Sequence, residues 1–177
     1  VEDNKPDCIE KLEKLTSGEP RMEVAKLMTK YPQGGERQLI YAVTKRAINS
    51  SMLPADVGCV VDNVETIIHI YDAVVNGRPC IDRVVTVSGD GIMNPGNFKV
   101  PLGMNQQELV NVAGGFQGTP EKIVSGGPMM GFAMFTLDVP VTKTSSSILC
   151  MTKDEVAKYE PSACINCGRC IEACPSA

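Results

Sequence analysis

Four cysteines crowded near the C-terminal end constrain this 177-residue chain more than any other feature. They stand in the run Cys164-Ile-Asn-Cys167-Gly-Arg-Cys170-Ile-Glu-Ala-Cys174-Pro175, which is the pattern C-x2-C-x2-C-x3-C-P. Three thiolates spaced two residues apart on a tightly turning backbone can bind three corners of one iron–sulfur cubane. The spacing therefore predicts an iron–sulfur segment at this end of the chain.

The same run predicts half of a two-cluster module of the kind found in bacterial ferredoxins. In such a module the fourth cysteine, which a proline follows, binds the other cluster. We therefore expect Cys164, Cys167 and Cys170 to bind the first 4Fe–4S cluster and Cys174 the second. Zinc is the rival metal, but structural zinc sites usually divide their ligands into two pairs separated by about a dozen residues or more. The pattern favours iron and sulfur.

Composition and charge exclude several other classes of protein. A net charge of −4 argues against a nucleic-acid-binding protein, which would have a basic face. No apolar run approaches the ~20 residues needed to cross a bilayer, and the N-terminal residues lack the features of a signal peptide. A reducing compartment and metal binding therefore explain the eight cysteines better than disulfides do. The chain also reads as a fragment of a longer protein.

Helical periodicity and capping signals predict a partial α/β domain over residues 1–80. Helices are expected at 6–17 and after Gly35, with short strands at 22–27 and 58–61. The clearest helix begins with a D-x-x-E capping box at Asp62 and Glu65. His69 falls on its polar side, which predicts a solvated position. Helical spacing predicts one buried apolar face made of Val64, Ile67, Ile68, Tyr71, Val74 and Val75.

Residues 81–137 are predicted to form a small β-grasp domain. The order is a β-branched strand at 84–87, a turn, an alternating strand near residue 100, a helix capped by Asn105, and a strand at 122–125. The methionines of the GGPMMG turn at 126–131 are expected to fill the core. Residues 138–158 are predicted as an extended or linker segment, with Thr152 and Glu155 capping a short helix. Residues 159–177 complete the chain as the first ferredoxin-like motif.

Four further cysteines and two glycines attract attention outside the C-terminal run. The cysteines are set singly among apolar residues and are predicted to be small buried side chains: Cys8, Cys59, Cys80 and Cys150. Gly34 and Gly35 directly precede a predicted helix, an arrangement suited to a phosphate or a flavin edge at a helix N-terminus. Two adjacent glycines are weak evidence alone, because such turns often only reverse the chain.

Six stretches taken together, in this order, closely resemble the RnfC family, which provides the C subunit of the bacterial Rnf electron-transport complex. The resemblance runs through nearly all of the chain, and that family is also similar to the flavin-carrying, NADH-oxidising subunit of respiratory complex I. The stretches are KYPQGGERQLIYAVT, LPADVGCVVDNVETI, RVVTVSGD, GGPMMGFAM, DVPVTKTSSSIL and CINCGRCIEACP.

The resemblance implies an electron-transfer subunit of a membrane-associated, ion-translocating ferredoxin–NAD oxidoreductase complex. It implies that the β-grasp domain is of the soluble-ligand-binding type. It also implies two 4Fe–4S clusters, FMN and NADH in the parent protein, with ferredoxin and the other Rnf subunits as partners. Such a subunit is expected on the cytoplasmic side of the bacterial inner membrane, held there by its partners. The main glycine-rich flavin loop of the family should lie upstream of Val1, so we expect the isolated fragment to be inactive.

The resemblance also carries site residues onto this chain. Asn63 and Thr66 fall where the family's flavin domain holds the flavin phosphate or ribityl chain. Asp62 replaces the first asparagine of the complex I pattern N-N-V-E-T. The full set that falls at the flavin site is Tyr31, Gly34, Gly35, Glu36, Asn63 and Thr66.

Two alternatives of different classes stay open. The parent could be a related soluble reductase that feeds a cobalamin or selenoprotein system, and the downstream partner would discriminate this case. Alternatively, the chain could be a non-catalytic docking module whose β-grasp domain binds a partner or a small ligand. The absence of any cluster after anaerobic reconstitution with iron and sulfide would favour the docking module.

Overall fold

A computed structural model of the chain describes residues 1–153, 156 and 162–174. The chain divides into two compact units, one made of Val1–Asp62 with Ala163–Ala177 and the other of Asn63–Ser162. Within the described residues, no helix has both the length and the apolar character that a membrane span requires. The predictions made for Glu155 and Pro175 lie outside the described residues.

The first unit contains the two helices that the sequence predicts near the N-terminus. Helix α1 (Pro6–Thr16) has proline in its first turn, and helix α2 (Glu36–Thr44) begins directly after Gly35 and ends at Lys45 in the left-handed region. A 3-10 helix follows at Pro54–Val57. Each of the two α-helices buries one isoleucine, Ile9 in α1 and Ile40 in α2.

The two strands predicted for this unit, at 22–27 and 58–61, are wrong. The backbone there pairs only as an isolated bridge, in which the Leu27 amide donates to the Val1 carbonyl (2.9 Å) and the Asp3 amide donates to the Leu27 carbonyl (2.9 Å). An apolar run becomes a strand only when a neighbouring strand satisfies its backbone groups. Residues 1–62, all described, supply no such neighbour.

The second unit is built on a five-stranded mixed sheet with strand order β2-β1-β5-β3-β4. Strand β1 (Asp82–Ser88) pairs antiparallel with β2 (Gly96–Pro101) and parallel with β5 (Ser147–Met151). Strand β3 (Lys122–Ser125) pairs antiparallel with β5 and with β4 (Phe132–Met134). The predicted order of strands and helix is confirmed, and the β-grasp label stays a prediction. Strand β5, within the segment predicted as extended, is the central strand.

The core of this unit lies where helix α4 (Gln106–Val112) meets the sheet. The Asn105 side-chain oxygen caps the helix by accepting from the Gln107 amide at 2.8 Å, as its sequence position predicts. Leu109 and Val110 are fully buried in one cluster with Val85 and other strand residues. Each such aliphatic side chain stabilises the fold by about 1.5–3 kcal/mol through burial.

Helix α3 (Val64–Val75) has its faces reversed relative to the prediction. Its apolar residues are exposed, Val64 at 74% and Val74 at 79%, so the predicted buried face is wrong. The predicted solvated position of His69 is wrong as well, because its side chain is only 16% exposed. Periodicity locates an apolar face, but it does not say from which side the neighbouring elements come.

The start of α3 also differs from the predicted D-x-x-E capping box. The N-cap is Asn63 rather than Asp62, and its side-chain oxygen accepts from the Glu65 amide at 2.9 Å. The Glu65 carboxylate is engaged with strand β1, where the Val84 amide donates to it. A long-range partner has therefore replaced the local one that the sequence pattern predicts.

Two smaller predictions also fail. Met129 and Met130 were expected in the core, yet they are exposed at the turn before β4, where the backbone glycines pack closely instead. Among the single cysteines, Cys150 is buried as predicted, Cys59 and Cys80 are half-buried, and Cys8 is exposed on α1. A short helix such as α1, with one buried residue, leaves most of its side chains in solvent.

Candidate flavin and iron–sulfur sites

The predicted flavin residues of the first unit form a tight turn at the start of α2. The Gly35 amide donates to the Pro32 carbonyl at 2.8 Å, and Gly35 is the N-cap of the helix. A β-carbon at Gly35 would lie 2.6 Å from the Gln38 side-chain oxygen, so a side chain here would displace that amide. Helix N-termini with free amides bind anionic groups. The turn is therefore suited to a phosphate.

A pocket of about 220 Å³ opens beside this turn. Tyr31 is about half exposed at its rim, and Gly34 has open space around the position of a β-carbon. Glu36 occupies the first position of α2, where a carboxylate interacts favourably with the helix dipole. The residues lining the pocket are Lys30, Tyr31, Pro32, Gln33, Gln38, Tyr41 and Ala42.

The other two predicted flavin residues lie in the second unit, at the start of α3. Asn63 is exposed and already uses its side-chain oxygen to cap the helix, which leaves its amide group available as a donor. Thr66 is half-buried one turn into the helix. The structure therefore places Tyr31, Gly34, Gly35 and Glu36 in one unit and Asn63 with Thr66 in the other.

Glu65, which lies between these two residues, has a charged environment that the sequence analysis missed. One carboxylate oxygen accepts from the Val84 amide at 2.5 Å, and the other lies 3.3 Å from an Arg83 guanidinium nitrogen. His69 Nε2 lies 3.7 Å from the carboxylate, too far for a hydrogen bond. The only sign of this contact in the sequence is the charge pattern. An acidic residue is the second residue of the helix, and an arginine lies in the strand that follows.

The C-terminal cysteines lie on an exposed, irregular segment that ends in helix α5 (Arg169–Ala173). The four thiols are free and exposed, and the segment turns through left-handed backbone at Asn166 and Gly168. The Asn166 amide lies 3.4 Å from Cys164 Sγ, so one sulfur already accepts a backbone N–H. Hydrogen bonds of this type tune the potential of a bound cluster.

The donor set of this segment fits an iron–sulfur cluster in chemistry. Cys164, Cys167, Cys170 and Cys174 supply thiols at the predicted spacing, and all four are accessible. Within the described part of the chain, no three cysteine, histidine or acidic side chains are gathered closely enough to hold a metal ion. The sequence therefore supplies four thiol donors at the spacing predicted for a cluster.

The end of strand β5, shortly before the cysteines, is tied to the sheet by Asp90. The Thr152 amide donates to one Asp90 oxygen at 2.8 Å, and the Thr152 hydroxyl donates to the other. Both bonds hold the pKa of Asp90 below its ordinary value of 3.8. Nearby, burial raises the pKa of the Cys150 thiol to about 11, so this cysteine stays protonated and is a packing residue.

Acidification is expected to release Thr152 from Asp90. Because the pKa of Asp90 is lower in the folded state than in the unfolded one, the stabilisation is present above pH 3.8 and is lost as the pH falls through the folded pKa. We expect hydrogen-exchange measurements to show that the Thr152 amide loses protection as the pH is lowered through this range. The variant Asp90→Asn should lack this transition, and an unchanged Thr152 amide down to about pH 2 would contradict the assignment.

A second cavity, of about 550 Å³, lies in the sheet unit. Its lining is apolar at Phe132 and Met134 and polar along the hydroxyl-rich segment that leads into β5. Gln106 is 4% exposed, and its side-chain oxygen has no hydrogen-bond partner among the described residues. No sequence pattern pointed to this cavity, because its residues come from three separate segments.

Three family models match the chain in order. The Nuo51 FMN-binding domain matches residues 1–72, the SLBB domain matches residues 84–133, and a 4Fe-4S binding domain matches residues 156–177. The first and third fit the FMN and 4Fe–4S cofactors that the motifs imply. The first match ends inside α3, so the start of that helix belongs to the FMN-binding pattern.

Curated relatives carry the same assignment over nearly the whole chain. The C subunit of the proton-translocating ferredoxin:NAD(+) oxidoreductase complex of Clostridium ljungdahlii is 50% identical over 99% of this chain, which covers 38% of that protein. The C subunit of the Na(+)-translocating complex of Acetobacterium woodii is 47% identical, with 99% and 40% covered. The C subunit of the ion-translocating oxidoreductase complex of Yersinia enterocolitica is 37% identical, with 99% and 25% covered.

These relatives are much longer than the sequence they match. The chain spans between 25% and 40% of their lengths. The matched region nevertheless includes the glycine turn, the helix start at Asn63 and the cysteine run. The resemblance to the RnfC family that the motifs carry is confirmed, because the chain is similar over 99% of its length to the C subunits of ion-translocating oxidoreductase complexes.

Proposed function

We propose that this chain is part of the electron-transfer subunit of a membrane-associated, ion-translocating ferredoxin–NAD oxidoreductase complex. Its role would be to relay electrons between NADH and flavin at one end and 4Fe–4S clusters at the other. The observation that carries the proposal is the order of an FMN-binding pattern, an SLBB domain and a complete C-x2-C-x2-C-x3-C-P run on one chain.

Each part of the chain has a distinct task in this proposal. Residues 1–80 belong to the flavin domain, 81–137 to the β-grasp domain, 138–158 to the connecting segment and 159–177 to the first cluster motif. When bound, flavin and clusters supply the redox chemistry, and the protein orients them and sets their potentials. Cys164, Cys167 and Cys170 hold the first cluster, and Cys174 contributes to the second.

The flavin contacts are assigned on the same basis. Tyr31, Gly34, Gly35 and Glu36 lie at the turn where α2 begins, and the free amides of the first turn of that helix suit a phosphate or a flavin edge. Asn63 and Thr66 present an amide donor and a hydroxyl at the start of α3. Support comes from the FMN-binding pattern, which extends through both segments.

We place the parent protein on the cytoplasmic side of the bacterial inner membrane, attached through the other subunits of the complex. Ferredoxin and NADH reach it as partners of that complex. The relatives named for proton and for Na(+) translocation are 50% and 47% identical to the same residues. Because the chain is about equally similar to both, we assign the choice of ion to other parts of the complex.

Reduction by NADH tests the proposed function. The full-length protein, reconstituted anaerobically with FMN, iron and sulfide, should have a broad absorbance near roughly 400 nm, as thiolate-bound clusters do. NADH should bleach part of it and dithionite the remainder. A colourless protein that carries stoichiometric zinc would contradict the proposal, as would cluster absorbance that dithionite bleaches and NADH leaves unchanged.

A further inference from the structure

The polar face of α3 is held against the sheet through a single carboxylate, that of Glu65. Its side chain is 16% exposed, and the guanidinium that faces it, that of Arg83, is 12% exposed. The pair thus lies largely out of water, at the junction of α3 and β1. Shielded pairs of this kind have well-defined geometry, because losing one partner leaves the other charge uncompensated.

The Glu65 carboxylate also takes the place of a neighbouring strand, because it accepts a hydrogen bond from the Val84 amide of β1. The Thr86 amide of β1 donates to the Ser146 carbonyl, on the side where β5 lies. Amides two residues apart in a strand point the same way, so the Val84 amide points to that side as well. Strand β5 pairs with β1 only from Thr86 onward, and the Glu65 carboxylate accepts the Val84 amide at 2.5 Å.

Arg83 extends the connection to a third segment. One of its guanidinium nitrogens lies 3.3 Å from the Glu65 carboxylate, and another donates to the Lys143 carbonyl, in the segment that leads into β5. The guanidinium therefore connects three segments, which are the start of α3, strand β1, on which Arg83 lies, and the segment that leads into β5. Its planar fork suits such a bridge better than a lysine would.

Glu65 is also directly connected to a proposed flavin contact, Asn63. The Glu65 backbone amide donates to the Asn63 side-chain oxygen at 2.9 Å, and Thr66 follows it in the chain. Glu65 thus orients Asn63 through its backbone and is itself fixed by its side chain. We infer that Glu65 is a positioning residue, which with Arg83 fixes the flavin-contacting start of α3 to the β-grasp sheet.

This inference rests on the proposed function, and FMN affinity tests both. In the full-length protein, Glu65→Ala should raise the dissociation constant of FMN about tenfold, the lower end of the loss seen when a group that orients a metal-binding side chain is removed. Arg83→Met should raise it by a similar factor. Glu65→Gln keeps an oxygen for the Val84 amide, so its effect should be smaller, and it serves if Glu65→Ala fails to fold.

The pairing of these variants separates positioning from simple electrostatics. Removing a negative charge near the FMN phosphate would tighten binding, and removing a positive charge would weaken it. Positioning predicts weaker binding in both cases. Glu108→Gln removes a carboxylate from an exposed position on α4 and should leave the FMN dissociation constant unchanged.

The outcomes that overturn the inference differ from those that overturn the function. If the wild-type protein binds FMN and the Glu65 and Arg83 variants leave the dissociation constant unchanged or move it in opposite directions, positioning by Glu65 is excluded and the flavin function stands. If the wild-type protein binds no FMN, both are wrong. A variant with a lower melting temperature but an unchanged FMN dissociation constant would make Glu65 a structural residue only.

Discussion

Replacing Cys167 by serine in the full-length protein is expected to remove one of the two 4Fe–4S clusters that we propose for it. The iron content should fall from about eight to about four atoms per molecule after anaerobic reconstitution. The reason is that the thiolate is the ligand and a serine hydroxyl is a poor substitute for it. Elemental analysis and electron paramagnetic resonance of the dithionite-reduced protein would measure the loss.

The four cysteines of the run should divide into two classes in this experiment. Variants of Cys164, Cys167 and Cys170 should lose the same resonance signal, and Cys174→Ser should lose the other, because the fourth cysteine of the pattern binds the neighbouring cluster. Cys8→Ser is the matched control, since Cys8 is also exposed but lies on α1. Loss of one common signal in all four variants would place Cys174 on the first cluster.

Replacing Gly89 by alanine is expected to destabilise the sheet severely. Gly89 follows β1 with φ at +105°, and a β-carbon there would lie 1.9 Å from the Cys150 carbonyl oxygen of β5. Neither backbone can move without breaking the pairing of β1 with β5, which is parallel and only three residues long. We expect a loss of more than about 3 kcal/mol in the free energy of unfolding.

Gly103 provides a control for the backbone strain in that measurement. Its φ is +88°, close to that of Gly89, but no atom lies within 4 Å of the position of a β-carbon. Gly103→Ala should therefore cost only the strain of a left-handed alanine, about 1–2 kcal/mol. Urea denaturation of both variants separates the two contributions. Equal losses would mean that the close contact at Gly89 is relieved by a small shift.

The parts of this fold that were predictable are those set by local chemistry. Helices α1, α2 and α4 follow from the spacing of their apolar residues and from the residues at their starts, which are a proline in α1, Gly35 before α2 and the capping side chain of Asn105 in α4. The positions of the cysteine donors and of Gly35 at a helix start also follow from sequence alone. In each case the determining residues lie within a few positions of one another.

The parts that were not predictable depend on contacts between distant segments. Glu65 reads as a capping residue because the pattern D-x-x-E is local, whereas its actual partners, Arg83 and Val84, lie on the following strand. The reversed faces of α3 have the same origin. Its apolar periodicity is real, but this polar contact decides which side of the helix meets the sheet. The cavity beside Gln106 likewise depends on the tertiary fold.

The central place of β5 sets an order for biosynthesis. Among the described strands, β1 and β2 form one antiparallel pair, β3 and β4 form another, and β5 lies between the two pairs. The ribosome makes β5 last, so the two pairs cannot join until residue 151 has emerged. The cysteines follow directly in the chain. We therefore expect the sheet to be able to close before the cysteines have been made and can bind iron and sulfide.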